Sequence, residues 1–283
     1  MIKSGPVENH RGREDGVSVY PVFSRRSQGL SIGINLFLQK KVCNFDCPYC
    51  EVFADNIEAK NANNTTEFCT DKMKQALKDT IDRIANDNIA VKDICFSGNG
   101  EPTISADFPC AFAAAIEIRD ALVPNAELVV ISNGTGLLKK ETFTLLQNTI
   151  RNNKNIKFWL KFDAGSEDWY KKINGSKIAY NDLVNAIKEF SKQSAFIIQT
   201  MHCTFNNESP SEKELNLWAK TICEIAANKN LLGVQIYGKA RPAPNDPVCA
   251  SLSAESLEHR ADVLRAAFNA GGGSLNVPVA IYL

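Results

Sequence analysis

Cys43, Cys47 and Cys50 fall within eight residues in the order C-x3-C-x2-C, which puts three thiols on one short loop. Three soft ligands so close together suit an iron–sulfur cluster. A cubane of four irons needs four ligands, so this loop leaves one iron with an open position, and an open position is where a metal site does chemistry. A structural zinc loop, or three cysteines that are simply buried, are the other readings of the spacing. Zinc wants a fourth Cys or His close by, and the next cysteine is Cys69.

The second stretch with chemical potential is Ser97-Gly98-Asn99-Gly100-Glu101. Gly98 and Gly100 permit a tight turn with open backbone that a ligand can approach closely, and Glu101 sets a carboxylate beside it. Further polar residues follow apolar runs: Ser132-Asn133-Gly134, Lys161 and Asp163, Gln199, and Gln235 to Lys239 with Tyr237 among them. Trp159, Lys161 and Asp163 alternate with Phe158, Leu160 and Phe162, so the first three share one face of a strand. A buried Lys–Asp pair is costly unless a ligand uses it; a mutually satisfied ion pair is the alternative. Tyr237 reads equally as a ligand contact or as packing. Cys95, Cys110 and Cys223 read as small core residues. His202-Cys203 closes a strand, where Cys203 either packs or serves as a thiol hydrogen donor.

These residues need a scaffold that gathers strand ends. Residues 1–29 read as an irregular lead-in, broken by Gly5-Pro6, Gly12, Gly16 and Pro21. Residues 30–38 read as a buried strand leading to the cysteine loop, and 54–66 as an Asn-rich loop. Thr70 is expected to cap a helix with Met73, Leu77, Ile81 and Ile84 at helical spacing. Strands are then expected over 91–96, 127–131, 156–162, 195–201 and 231–237, with helices over 108–122, 137–150, 181–191, 211–227 and 254–268. Gly271 to Gly273 stop the last helix, and 275–283 make one more short strand or a tail. Repeated βα units of this length curl into a barrel or part of one. Six are visible, which predicts an α/β fold, a partial (β/α)6 TIM-like barrel, with residues 30–283 as a single domain. Functional residues of such folds sit at the C-terminal strand ends.

Composition narrows the class. The chain has 283 residues, 44% of them hydrophobic, with 32 Lys plus Arg against 32 Asp plus Glu. A formal charge of zero argues against a surface built for nucleic-acid phosphates; the basic cluster Arg11, Arg13, Arg25 and Arg26 is the exception. No apolar run reaches membrane-spanning length and the first thirteen residues are polar, so a cytoplasmic protein is expected. Nine cysteines in that compartment stay reduced.

The cysteine spacing, with Tyr49 just before the last cysteine, resembles the signature of the radical S-adenosylmethionine (radical SAM) superfamily. Pro21–Arg26, Gly33-Ile34-Asn35, Phe96–Thr103, Ser132–Thr135, Leu160–Gly165 and Val234–Pro242 together resemble its uncharacterised wybutosine-synthesis-like Fe–S oxidoreductase branch. The resemblance implies a [4Fe–4S] cluster on Cys43, Cys47 and Cys50, whose open iron chelates SAM. It further implies that Gly98, Asn99, Gly100 and Glu101 stand where the family has a GGE-type motif bonding the SAM amino group; this chain has Gly-Asn for the first two residues. Tyr49 would lie near the adenine, Ser132 or Asn133 near the ribose or methionine part, Lys161 near the SAM carboxylate, and Asp163 or Gln199 near the ribose hydroxyls, with Tyr237 on the adenine or substrate side. A low-potential electron donor, flavodoxin or ferredoxin, is implied. The branch suggests tRNA as substrate, whereas the neutral charge favours a small-molecule or peptide-sized one.

Overall fold

Runs of Val, Ile, Leu and Phe that bury both faces make parallel strands, and the computed structural model holds eight strands, β1 to β8 in chain order. It describes residues 16–24, 26–52, 67–270 and 276–282. Arg11, Arg13 and Arg25, the loop at 54–66 and the Gly271–Gly273 stop therefore lie outside the described residues. Strand β1 (Val19–Ser24) runs antiparallel to β2 (Gly29–Ile34). The pairs β2/β3, β3/β4, β5/β6, β6/β7 and β7/β8 are parallel. These strands are β3 (Val91–Phe96), β4 (Glu127–Ser132), β5 (Ile156–Lys161), β6 (Phe196–His202), β7 (Leu231–Gly238) and β8 (Val279–Tyr282). Among the described residues no helix is long and apolar enough to cross a membrane.

The described residues form two compact units. One draws on the described residues up to Cys43, those between Val52 and Ile131, and Asn153–Lys157; the other draws on Asn44–Glu51, Ser132–Asn152 and the described residues from Phe158 onward. In the first, helix α1 (Thr70–Asn86) buries Met73, Leu77, Ile81 and Ile84, the stripe expected of an amphipathic helix. Helix α2 (Phe108–Leu122) sets Phe108 and Phe112 edge-on against Phe96 of β3, at 5.5 and 5.8 Å between ring centroids. The second unit holds α3 (Lys140–Asn152), α4 (Glu167–Asn174), α5 (Tyr180–Ser191), α6 (Glu212–Ala226) and α7 (Ala254–Ala270). Phe158, Phe190 and Trp218 are among its largest fully buried side chains.

Several expectations are corrected. Residues 19–24 are not irregular: Tyr20 and Val22 are buried while Pro21 sits in an edge strand, where a missing N–H costs little. The strand expected over 30–38 stops at Ile34, because the buried Asn35 turns the chain by bonding other backbone. Thr70 does not cap α1: the capping position is Cys69, which makes no side-chain bond there. A 3-10 turn, Thr135–Leu138, replaces the start of the helix expected over 137–150. Helix α4 was not expected. Cys110 is exposed and Cys223 partly so, since position 110 falls off the stripe of Phe108, Ala111, Phe112 and Ala115 that α2 buries.

Candidate active site

In the first unit the turn after β3 is tied to the chain that leads into the cysteines. Asn35, fully buried, accepts at Oδ1 from the backbone N–H groups of Phe37 and Asn99, both at 3.1 Å. Asn99 donates from Nδ2 to the Phe37 carbonyl at 3.1 Å. Val42, just before Cys43, donates to the Asn99 carbonyl at 3.0 Å and accepts from Glu101 N–H at 2.9 Å. The two glycines make this clasp possible. A Cβ on Gly100 would lie 1.9 Å from the Val42 carbonyl oxygen, and Gly98 holds a φ of +123° beside Asn35, a region that side chains disfavour. Gly33 is bare for a related reason: a Cβ there would strike the Tyr20 ring, whose hydroxyl bonds Ser97 Oγ at 2.9 Å.

Glu101 is buried and accepts at Oε1 from Thr103 N–H (3.1 Å) and Thr103 Oγ1 (2.5 Å). Asn99 Oδ1 is buried with no hydrogen-bond partner among the described residues. A buried acceptor without a donor is costly, so this atom fits a ligand that brings N–H groups.

In the second unit the segment 44–51 is held at four points. Asp46 N–H donates to the Asn174 carbonyl at 2.9 Å, and Phe45 meets Tyr170 edge-on at 5.5 Å. Tyr49 OH donates to Asp163 Oδ2, and Glu51 pairs with Arg241 at 2.7 Å. Asp163 is nearly inaccessible and also accepts from Asn174 Nδ2 at 2.9 Å and from Met201 N–H at 2.8 Å. Lys161 stands 3.5 Å from the same carboxylate and donates to Tyr237 OH at 2.7 Å. Its ammonium lies 4.9 and 5.2 Å from the centroids of the Tyr49 and Tyr237 rings, a cation–π arrangement on both sides.

Cys47 joins this network: Asn174 Nδ2 lies 3.5 Å from its sulfur. Burial pushes the Cys47 thiol up to about 12, with the Lys161 charge pulling it down. Metal binding deprotonates such a thiol and supplies the positive charge that keeps it a thiolate. Burial, reinforced by Asp163, also raises Tyr49, so it stays a neutral donor. For Lys161 burial works against the charge, but Asp163, Tyr237 and Cys47 outweigh it and raise its pKa.

The other expected site residues make bonds of their own. Gln199 donates to Gln235 at 2.6 Å, its Cα in register with Lys161 on one side and Gln235 on the other. Ser132 Oγ accepts from Gly134 N–H and Asn133 Oδ1 from Thr135, bonds that shape the turn after β4. Cys43 belongs to the first unit, Cys47 and Cys50 to the second. Among the described residues no three His, Cys, Asp or Glu side chains gather around one metal-ion position. Cys203 and Cys249, far apart in sequence, are both buried and share a hydrogen bond. Asn35 stands in a motif quoted above but was given no role there, and Asn174 was missed, although Asn174-Gly175 carried a turn signal and Gly175 does adopt a left-handed φ of 57°.

A family model described as "Radical SAM superfamily" matches residues 40–217. The structure resembles a radical SAM methyltransferase from Sphaerobacter thermophilus, with 13% identity, a TM-score of 0.63, and 93% of this chain and 68% of that one covered. It also resembles SuiB from Streptococcus suis, with 14% identity, a TM-score of 0.60, and 91% and 51% covered. SuiB bound to S-adenosylmethionine gives 15%, 0.61, 89% and 50%. The chain thus spans about half the length of SuiB. The sequence matches no curated protein. At these identities the likeness shows the fold, an α/β partial TIM-like barrel as the βα repeat predicts.

Proposed function

This chain belongs to the radical SAM superfamily of enzymes, and we propose that it binds a [4Fe–4S] cluster through Cys43, Cys47 and Cys50 with SAM at the open iron. Held by these three cysteines, such a cluster would supply the electron for reductive cleavage of SAM, and the radical chemistry that follows would remove hydrogen from a substrate. The observation that carries this reading is a three-cysteine loop, inside the family match, whose Cys47 sits in a buried network of strand-end polar residues. The donor set fits: three thiols suit a cluster better than a hard cation, and the lone Asn99 Oδ1 suits an ammonium.

The chain's own residues then bind and orient. Asn35, Gly100 and Val42 fix the chain entering Cys43, and Asp163 fixes Tyr49. Lys161 brings a positive charge toward the SAM carboxylate, and Asn99 with Glu101 receives the SAM amino group. Ser132 or Asn133, Gln199 and Tyr237 complete the pocket for ribose and adenine. The electron donor in this reading is flavodoxin or ferredoxin, in the cytosol.

The substrate is small or peptide-sized rather than tRNA, a reading supported by the balanced charge, since several phosphate contacts demand a basic surface. The test is an anaerobic assay for 5′-deoxyadenosine with candidate substrates. Alongside it, tRNA is titrated by fluorescence anisotropy at two salt concentrations. Reductant-dependent 5′-deoxyadenosine supports the reading and its absence with an intact cluster opposes it. Micromolar, salt-sensitive tRNA binding that disappears in Arg25→Ala/Arg26→Ala overturns the substrate preference.

A further inference from the structure

Helix α4 ends on Asn174, which contacts the cysteine loop through both its backbone and its side chain. Its backbone carbonyl accepts from Asp46 N–H at 2.9 Å, and the next residue has no side chain because a Cβ on Gly175 would lie 2.6 Å from the Asp46 carbonyl oxygen. The end of the helix is thus pressed against the residue that precedes Cys47. The Asn174 side chain, 2% exposed, carries the contact further. Its Nδ2 lies 2.9 Å from Asp163 Oδ2, 3.5 Å from Cys47 Sγ and 3.3 Å from Tyr49 OH. An amide nitrogen has two hydrogens. One serves the carboxylate, leaving the other for the sulfur and the phenol oxygen.

We infer that Asn174 is a positioning residue for the cluster, one that fixes Cys47 and tunes the cluster's reduction potential by donating N–H to the thiolate sulfur. The inference rests on the function proposed above. Hydrogen bonds to ligand sulfurs are among the factors that set iron–sulfur potentials, and groups behind the ligands orient them. A sulfur that accepts an N–H gives less electron density to iron, so the reduced state is easier to reach. The carboxylate alone would satisfy a packing amide, but here the same nitrogen also stands over a sulfur and a phenol oxygen. Asn174 therefore couples the thiol at Cys47 to Asp163 and Tyr49, so that a displaced amide disturbs all three.

The experiment uses the full chain with its cluster reconstituted anaerobically. Wild type, Asn174→Leu, similar in size but without a donor, and Asn174→Asp, similar in shape but without the N–H groups, are compared. Iron per chain and the thermal melt of the metal-free protein establish loading and folding. The deciding readout is the midpoint potential from an EPR-monitored redox titration. The expected result is wild-type iron content with a potential more negative than wild type in both variants. Variants with full iron and the wild-type potential overturn the inference and leave the function reading standing. A wild type that takes up no iron removes both. If Asn174→Leu holds no iron, Asn174→His, which keeps an N–H donor, decides. Recovery of iron and potential in Asn174→His supports the inference, and failure there overturns it.

Discussion

Replacing Gly100 by Ala tests how the cysteine loop is held. The added Cβ would sit 1.9 Å from the Val42 carbonyl oxygen and 2.8 Å from its carbonyl carbon, and both are backbone. Restoring ordinary contact at about 3.4 Å means moving that peptide by about 1.5 Å. Such a shift breaks the bonds from Val42 N–H to Asn99 (3.0 Å) and from Glu101 N–H to Val42 (2.9 Å). At about 0.5–1.5 kcal/mol each, their loss costs about 1–3 kcal/mol, and at roughly 2–4 °C per kcal/mol the melting point falls by several degrees. Because Val42 precedes Cys43, iron uptake should fall as well. Gly233→Ala is the control, since a Cβ there would meet only the Pro278 carbonyl oxygen at 3.4 Å. The assays are thermal melts of metal-free protein and iron per chain after reconstitution. Gly100→Ala with the melting point and iron content of Gly233→Ala would refute the clasp.

Replacing Cys43, Cys47 or Cys50 by Ala should abolish cluster binding and SAM cleavage, while Cys110→Ala, at an exposed site, should keep the wild-type iron content; a full cluster in Cys47→Ala would sink the assignment. Glu101→Ala should weaken SAM binding by roughly ten- to a hundredfold, the loss of a charge-assisted bond worth about 1.5–3 kcal/mol, as measured by equilibrium dialysis. Burial pushes His202 down to about 3, with Arg260 acting the same way. The unfolded chain takes up a proton near pH 6.5 that the folded one refuses, so the His202 contribution is intact above pH 6.5 and lost as pH falls toward 3. About 2 kcal/mol should go between pH 6.5 and 5; urea melts should show this slope flattened in His202→Gln, and an unchanged slope would contradict the assignment.

The strands were legible because their apolar runs end in polar residues, and most helix and strand limits fell within a few residues of those expected. The eight-residue α4 was not legible. Its buried Trp169, Tyr170, Ile173 and Asn174 cover barely two turns, too short for periodicity to stand out. The edge strand β1 was hidden by Pro21, which reads as a breaker unless the strand is known to be an edge. Site residues could be named where types clustered, as in the cysteine loop and at Lys161 and Asp163. What each does locally was less legible. Gly100 was expected to leave room for a ligand, and in the structure the space beside it is filled by Val42. Asn174 and Asn35 act through contacts made 127 and 64 residues away in the chain, which no local pattern records.

The proposed cluster is tested most simply by the iron, sulfide and zinc content of anaerobically reconstituted protein, read together with its EPR spectrum after reduction, with and without SAM. About four irons and four sulfides per chain are expected, with a reduced-cluster signal whose shape changes when SAM occupies the open iron. A colourless protein with one zinc per chain would contradict it, and so would a cluster signal indifferent to SAM.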